Sequence, residues 1–320
     1  MNERITGIHH ITAIAGDPQE NLDFYAGVLG MRLVKRSVNQ DSPGTYHLFY
    51  ADADGHPGTD LTFFPWPEMG PGRKGVGKAS EISLAVPKGS LDFWADRLAS
   101  HEARAGGREI RRGAQALLLP DPHGLPLALV EAEERTDFTP WHKSPVPADR
   151  QVRGLHSLRV EVRSLGPTAA FLTDGLGFEP MGAEGGWHGF ALGDGGSGRT
   201  LEVRESPGAQ DGSWGVGSMH HVAWRVADDM TEVAVRKRVA ASGLHPTAVI
   251  DRFWFKSVYF QEPGGVLFEI ATDGPGFTTD EDHATLGDRL VLPPWLEEQR
   301  ARIEARLIPL RMPPTGSQQY

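Results

Sequence analysis

Apolar and polar residues alternate in short runs along this chain, and turn residues bound each run. Residues 5–15 alternate with the period of a β-strand, and Asp17-Pro18-Gln19-Glu20 then supplies a helix N-cap, a proline at the first helical position and an early acid. This helix is expected to end at Gly30. Three strand-like runs follow, at 31–38, 46–51 and 59–65. The opening segment therefore predicts the order βαβββ.

The same order recurs along the rest of the chain, which is the signature of a repeat architecture. A second unit occupies 79–130, a third occupies 154–203, and a fourth runs from 218 through the strand around Glu269. Residues 134–150 are mostly polar and contain three prolines, which is typical of a linker. The pattern predicts two domains of two units each, at 1–148 and 149–320, with helical spacing in the tail at 295–308.

Composition narrows the class of protein and of ligand. A length of 320 residues fits two domains, and a net charge of −10 without long like-charged blocks argues against nucleic acid or an anionic membrane as a partner. No apolar run approaches the roughly 18 residues of a membrane span, so we expect a cytoplasmic protein. Because the chain has no cysteine, any metal must be bound by histidine, carboxylate or water.

Two histidine doublets occupy equivalent places in the repeat. Ile8-His9-His10-Ile11 opens the first strand of unit one, and Met219-His220-His221-Val222 opens that of unit four. When the first strands of all units are aligned, the second histidine of each doublet falls opposite Glu81 of unit two and Ser157 of unit three. Only units one and four offer histidine there, so we expect these two units to pair in space, and units two and three to form a structural pair.

A carboxylate completes the set. Glu269 lies in the apolar run Val266-Leu267-Phe268-Glu269-Ile270, where an ionised carboxylate is costly unless it is paired or bound to a metal. The same alignment places it opposite Thr62, Ala128 and Glu202 of the other units. Two histidines and one carboxylate form the ligand set of many non-haem Fe(II) oxygenases. Because neighbours in a strand point to opposite faces, we expect one ligand from each doublet.

Four βαβββ units with these ligands resemble the vicinal oxygen chelate superfamily, which includes glyoxalases, extradiol ring-cleaving dioxygenases and antibiotic-resistance proteins. The resemblance implies an α+β fold in which four βαβββ modules form two cup-shaped mixed β-sheets, plus a C-terminal helix. Within the superfamily, four stretches are similar to the hydroquinone ring-cleaving dioxygenases: Gly7-Ile8-His9-His10-Ile11-Thr12, Tyr46-His47-Leu48-Phe49-Tyr50, Gly55-His56-Pro57-Gly58-Thr59 and Phe63-Phe64-Pro65-Trp66.

The resemblance also implies roles for individual residues. The implied metal ligands are His10, His221 and Glu269, binding Fe(II), with Mn(II) as an alternative. Arg252 and Tyr259 match positions near the substrate in the family. The alternative for this segment is an aromatic-rich strand edge in the core, which would explain Phe253 and Phe255. The full set of candidate catalytic residues is Thr12, His9, His220, Arg252 and Tyr259.

The other histidines fall into two groups. His9 and His220 are pocket candidates, with a structural role as the alternative. We expect the others to be structural: His47, His56, His123, His156 and His188.

The implied reaction is cleavage of a hydroquinone (1,4-dihydroxybenzene) by O2, with a small aromatic substrate and O2 as partners and a homo-oligomer compatible with the chain. A catechol extradiol dioxygenase would draw both histidines from units three and four, where this chain has Ser157. A glyoxalase-type isomerase using Zn or Ni would want a second carboxylate where unit one has Thr62. A non-catalytic resistance-type binding protein is commonly a shorter chain of two units.

Overall fold

A computed structural model describes residues 4–133 and 137–312, and the strands in these ranges form two mixed sheets. Unit one contains β1 (Ile8–Ala15), α1 (Pro18–Leu22), β2 (Arg32–Val38), β3 (Tyr46–Ala51) and β4 (Asp60–Pro65). Unit two contains β5 (Lys78–Pro87), α2 (Leu91–Ser100), β6 (Arg108–Arg111), β7 (Ala114–Pro120) and β8 (Pro126–Ala132). The βαβββ order of the first two units is confirmed.

The later units follow the same order. Unit three contains β9 (Gly154–Val162), α3 (Leu165–Ala170), β10 (Glu179–Glu184), β11 (Trp187–Ala191) and β12 (Thr200–Glu205). Unit four contains β13 (Ser218–Val226), α4 (Asp229–Ala241), β14 (Ile250–Asp251), β15 (Lys256–Gln261) and β16 (Leu267–Thr272). In the described ranges no helix is both long enough and apolar enough to cross a bilayer.

The two sheets each curl into a half-barrel. The first cup has the strand order β14-β15-β16-β13-β1-β4-β3-β2, and the second cup has the order β10-β11-β12-β9-β5-β8-β7-β6. Units one and four therefore share the first cup, and units two and three share the second, as the histidine pattern predicted. Each cup takes strands from both halves of the sequence, and the division near residue 148 stays a prediction.

The strand registers match the internal alignment of the sequence. In unit one Ala15 of β1 faces Pro65 of the parallel strand β4, and in unit four Val226 of β13 faces Thr272 of β16. The first and last strands of units two and three pair with the same offset. Glu269 and Thr62 accordingly stand at equivalent places on either side of the central pair formed by β1 and β13.

The first helix begins where the sequence predicted it. The Asp17 carboxylate accepts hydrogen bonds from the backbone N–H groups of Gln19 and Glu20 at 2.7 and 3.0 Å, which satisfies free donors of the first turn. The α-helix then continues as a π-helical segment over Asp23–Val28. The apolar side chains of these two helical segments, among them Leu22 and Tyr25, pack into the main core against the outer face of the first cup. This packing anchors β1, which carries the first histidine doublet.

The C-terminal tail forms a wall of the first cup. Lys35 of β2 is fully buried and donates to the Phe277 carbonyl and to the carboxylates of Asp280 and Glu281. The predicted tail helix is shorter than expected, because a 3-10 turn at Pro294–Gln299 precedes α5 (Arg300–Glu304). Proline at 309 disfavours helical geometry in the residue before it, which limits how far the helix extends.

Candidate metal centre

Three buried side chains converge from three adjacent strands of the first cup. His10 projects from β1, His221 from β13 and Glu269 from β16. Glu269 Oε2 lies 2.9 Å from His221 Nε2 and 3.3 Å from His10 Nε2, and the two Nε2 atoms are 3.2 Å apart. One ligand atom from each residue therefore lies within 4.8 Å of the other two, which is the geometry of a metal-binding cluster.

The charges of this cluster favour a cation. Burial opposes ionisation of Glu269, but His10 and His221 outweigh it and hold the pKa of Glu269 well below its usual range. Burial also lowers the pKa of His221, despite the nearby carboxylate. Glu269 Oε1 accepts a hydrogen bond from Ser257 at 2.5 Å, whereas Oε2 has no well-directed donor among the described residues. A buried carboxylate beside imidazole lone pairs suits a divalent metal ion.

The first histidine of each doublet lies behind the second. His9 Nε2 is 3.1 Å from the Thr272 carbonyl, which only accepts hydrogen bonds, so Nε2 carries the hydrogen. Burial, with His10 nearby, lowers the pKa of His9 to about 3, so its Nδ1 is an acceptor. His10 Nδ1, 2.9 Å away, must then donate to it. With this hydrogen on Nδ1, His10 directs Nε2 at the cluster, which is the orientation that metal binding through Nε2 requires.

The second doublet repeats this arrangement. His220 Nδ1 lies 2.8 Å from His221 Nδ1, and its ring stacks on Trp214 with centroids 4.8 Å apart. Burial, together with the adjacent His221, lowers the pKa of His220 to about 3. His9 and His220 are therefore placed to orient His10 and His221 rather than to bind the metal themselves.

A small cavity of about 40 Å³ adjoins the cluster. Its lining includes four apolar aromatic side chains, at Phe49, Phe64, Trp254 and Phe255. Room for only a few water molecules implies that a substrate must displace or move part of this lining. Such walls are suited to an aromatic ring and exclude bulk water.

Two of the predicted catalytic residues close the cavity on one side. Tyr259 has its ring centroid 5.6 Å from that of His221, and burial together with Glu269 raises the pKa of Tyr259. The Arg252 guanidinium lies 5.4 Å from the centre of the Tyr259 ring and donates to the Asp41 carboxylate at 2.9 and 3.2 Å. Gln40 donates to the Arg252 carbonyl at 2.9 Å. Unit one and unit four are thereby joined across the cavity mouth.

The aromatic segment before Tyr259 differs from the strand edge expected as the alternative explanation. Residues 252–255 connect β14 to β15 and belong to neither strand. The Asp251 carboxylate accepts from the Phe253 N–H at 2.8 Å, and Phe253 has φ of 75°. This local turn replaces strand pairing and directs Phe255 against His9 and His10, at centroid distances of 5.3 and 5.2 Å.

His47, which we expect from the sequence to be structural, lines the cavity. Its Nε2 lies 2.9 Å from Thr62 Oγ1. Strand register explains the placement. Phe49 faces Thr62 as Tyr259 faces Glu269, so His47 and Ser257, each two residues earlier, occupy equivalent positions.

Thr12, the remaining predicted catalytic residue, is fully buried. Its Oγ1 lies 2.9 Å from His221 Nε2 and 2.8 Å from Thr62 Oγ1. The structure thus places Thr12 and Tyr259 beside His221, and Arg252 beside Tyr259.

Known proteins are similar in sequence to this chain over almost its full length. The chain is 42% identical to MhqO of Bacillus subtilis (strain 168), a protein provisionally named a ring-cleaving dioxygenase, over 98% of this chain and 99% of that one. It is 33% identical to a Sphingobium indicum protein named chlorohydroquinone/hydroquinone 1,2-dioxygenase, over 93% of this chain and 94% of that protein. These names agree with the expectation of an oxidoreductase.

Solved structures show the same architecture. A Bacillus subtilis protein provisionally described as a dioxygenase is 40% identical, with a TM-score of 0.90 over 97% of this chain and 99% of that one. Glyoxalase I from Zea mays is 14% identical, with a TM-score of 0.62 over 84% of this chain and 92% of that one, which reflects a shared fold alone. The sequence signature of one family matches residues 7–129 and 154–270. The chain therefore belongs to the Glyoxalase/Bleomycin resistance protein/Dioxygenase superfamily.

Proposed function

We propose that this protein is an Fe(II)-dependent ring-cleaving dioxygenase that acts on hydroquinones with O2. The observation that carries the proposal is the buried cluster of His10, His221 and Glu269 beside a cavity walled by aromatic side chains. Support also comes from relatives named ring-cleaving dioxygenases, one of them for chlorohydroquinone and hydroquinone. Mn(II) has the same preference for nitrogen and oxygen ligands and is the alternative metal.

In this proposal the cluster residues hold the metal. Bound Fe(II) would supply coordination positions for a substrate oxygen and for O2, together with the electrons that activate O2. Ser257 fixes the Glu269 carboxylate so that Oε2 faces the two imidazoles. His9 and His220 fix the orientation of those imidazoles.

The cavity residues would bind and orient the ring. Phe49, Phe64 and Phe255 offer apolar contact to an aromatic face and keep bulk water out. Arg252 and Tyr259 offer the N–H and O–H donors for the oxygen atoms of the substrate. Donors that are already oriented stabilise negative charge that develops on oxygen during the reaction, without reorganisation.

The position equivalent to Glu269 in unit one weighs against the isomerase alternative. Thr62 occupies that position and is held by Thr12 and His47, so unit one contributes no carboxylate there. A glyoxalase-type site with a carboxylate from each unit would need one.

Oxygen uptake tests the proposal. The protein is loaded with Fe(II) under anaerobic conditions. O2 consumption is then measured after mixing with hydroquinone or with catechol in the presence of O2. A separate isomerase assay uses the methylglyoxal–glutathione adduct. We expect O2 consumption with hydroquinone to exceed that with catechol and no isomerisation of the adduct. Preferred turnover of catechol would overturn the substrate class, and isomerisation without O2 consumption would overturn the reaction class.

A further inference from the structure

A continuous line of hydrogen bonds runs from the cavity wall to the candidate metal centre. It starts at His47 Nε2, 2.9 Å from Thr62 Oγ1, and continues from Thr62 to Thr12 Oγ1 at 2.8 Å. Thr12 Oγ1 is in turn 2.9 Å from His221 Nε2. Thr12 and Thr62 are fully buried, so the two hydroxyl groups rely on this line for their partners.

The His47 ring is itself held in a fixed orientation. Its centroid lies 3.8 Å from that of Phe49 and 4.4 Å from that of Phe64. Both aromatic residues line the cavity with it. A ring packed between two aromatic side chains cannot turn freely, so Nε2 stays directed at Thr62.

A line of hydroxyl groups has a direction, because each hydroxyl has one hydrogen to donate. If Thr12 donates toward Thr62, then Thr62 donates toward His47, and Thr12 has no hydrogen left for an atom bound beside His221. If His47 Nε2–H donates to Thr62, then Thr62 donates to Thr12, and the Thr12 hydrogen is free. A metal ion held by His221 Nε2 would occupy the lone pair to which Thr12 could otherwise donate.

We propose that His47 is a positioning residue which, through Thr62, fixes Thr12 as a hydrogen-bond donor to an anionic oxygen bound beside His221. This inference rests on the proposed function, in which that oxygen belongs to a hydroquinone. A hydrogen bond to a charged oxygen is stronger than one between neutral groups, so the direction of the line matters to binding and reaction.

The repeat supports a functional use of this position. In unit four the equivalent residue, Ser257, donates to Glu269. In unit one His47 contacts Thr62, which stands where unit four has Glu269. The residue at this position therefore orients the Glu269 carboxylate in unit four. In unit one it contacts the paired hydroxyls of Thr62 and Thr12, on the other side of the centre.

Steady-state kinetics of the iron-loaded enzyme test the role of the line. Removing the donor in His47→Phe, or the relay in Thr62→Val, is expected to lower kcat for hydroquinone about tenfold with KM and iron content nearly unchanged. Thr62→Ser keeps the hydroxyl and is expected to restore most of the loss. Thr168→Val is the matched control, since Thr168 donates to Glu262 at 2.8 Å in a buried place away from the cavity. It should leave kcat unchanged.

A double substitution distinguishes positioning from general damage. In a Thr12→Val background the line has lost its last member, so adding His47→Phe should reduce kcat no further. Additive losses in the double variant would overturn the proposal, as would single variants within twofold of the wild type. Thermal unfolding of each variant shows that the protein is folded.

Anaerobic titration with 4-nitrophenol gives a readout that does not depend on turnover. Its phenolate absorption moves to shorter wavelength when the oxygen accepts a hydrogen bond. We expect the bound band of His47→Phe and Thr62→Val to lie at longer wavelength than that of the wild type. Identical bands would overturn the proposal. Absence of O2 uptake by the wild type with any hydroquinone would refute the proposed function, while this spectral comparison would still test the line.

Discussion

The first and second cups share their strand order and register but fill the ligand positions differently. In the first cup, Glu269 faces His10 and His221, and among the described residues it forms no ion pair with lysine or arginine. In the second cup, Glu202 accepts from Arg159 at 2.8 Å and from Arg112 at 3.0 Å. Arg111 pairs with Glu81 in the same way. The negative charges of the second cup are therefore balanced by arginine within the protein.

The interiors of the two cups also differ. Arg112 reaches across the second cup to the backbone carbonyls of Met181, Gly182 and Trp187, at 3.1 to 3.3 Å. In the first cup Arg252 stays at the mouth, bound to Asp41, and a cavity remains beside the cluster. The candidate metal centre therefore lies in the cup whose carboxylate pairs with histidines instead of arginines and whose interior keeps a cavity.

Removal of a ligand should have the largest effect. His221→Ala or Glu269→Ala is expected to abolish stoichiometric Fe(II) binding and turnover, because two remaining ligands hold the metal weakly. Metal analysis after anaerobic loading and desalting measures this, and circular dichroism checks the fold. Ser157→Ala, at the equivalent position of the second cup, should keep full iron content. Full iron in a His221 or Glu269 variant would remove that residue from the site.

Loss of the Tyr259 hydroxyl should reduce catalysis without affecting the metal. Tyr259→Phe is expected to lower kcat by about 10²–10³-fold, the usual cost of losing one oriented donor in a water-excluded site. Iron content should stay at the wild-type level. Tyr25→Phe is the control, since Tyr25 donates to Asp121 at 3.1 Å outside the cavity. Wild-type kcat in Tyr259→Phe would contradict the assignment.

A substitution in the second cup should change the stability of the protein and leave its activity unchanged. Glu202→Gln leaves Arg112 and Arg159 without their shared carboxylate, which is expected to lower the free energy of unfolding by about 3 kcal/mol. Urea unfolding measures the loss, and oxygen uptake should match the wild type. A fall in iron content with unchanged stability would show that the second cup takes part in metal binding.

Substitution of Glu232, a buried acid on α4, should give the smallest effect. The change is in the free energy of unfolding and depends on pH. Burial, with Asp229 and Glu269 nearby, raises the pKa of Glu232 to about 7, and neither carboxylate oxygen has a hydrogen-bond partner in the described ranges. The equivalent position in unit three is occupied by Thr168, whose hydroxyl donates a hydrogen bond to Glu262. The folded pKa exceeds the unfolded value, so the contribution of Glu232 to stability is full below pH 4 and is lost as the pH rises through 7.

Glu232→Gln should therefore be more stable than the wild type by about 2 kcal/mol at pH 8 and equal to it near pH 4. Chemical unfolding at both pH values measures the difference. A difference that does not change with pH would mean that the carboxyl group of Glu232 titrates normally.

The sequence was sufficient to predict the pairing of units and the candidate ligands, because histidine or glutamate occurs there at a distinctive position of the repeat. The doublets predicted which units pair, and the apolar run around Glu269 predicted a buried carboxylate on the adjacent strand. The sequence was insufficient for His47 and Ser257. Their relation depends on how the third strand of each unit pairs with the last strand of that unit, and this register is seen only in the structure. The turn before Tyr259 depends on a side-chain contact that no periodicity reveals.

The pairing of the first and last units also has a consequence for biosynthesis. His10 and His221 are separated by 211 positions, and β1 gains its antiparallel neighbour β13 only when the ribosome has made most of the chain. Until then β1 is an open edge, with β4 on one side only. If the three residues hold a metal as proposed, its capture would follow the pairing of β13 and β16 with β1, and a chain interrupted before Glu269 would lack one of the three candidate ligands.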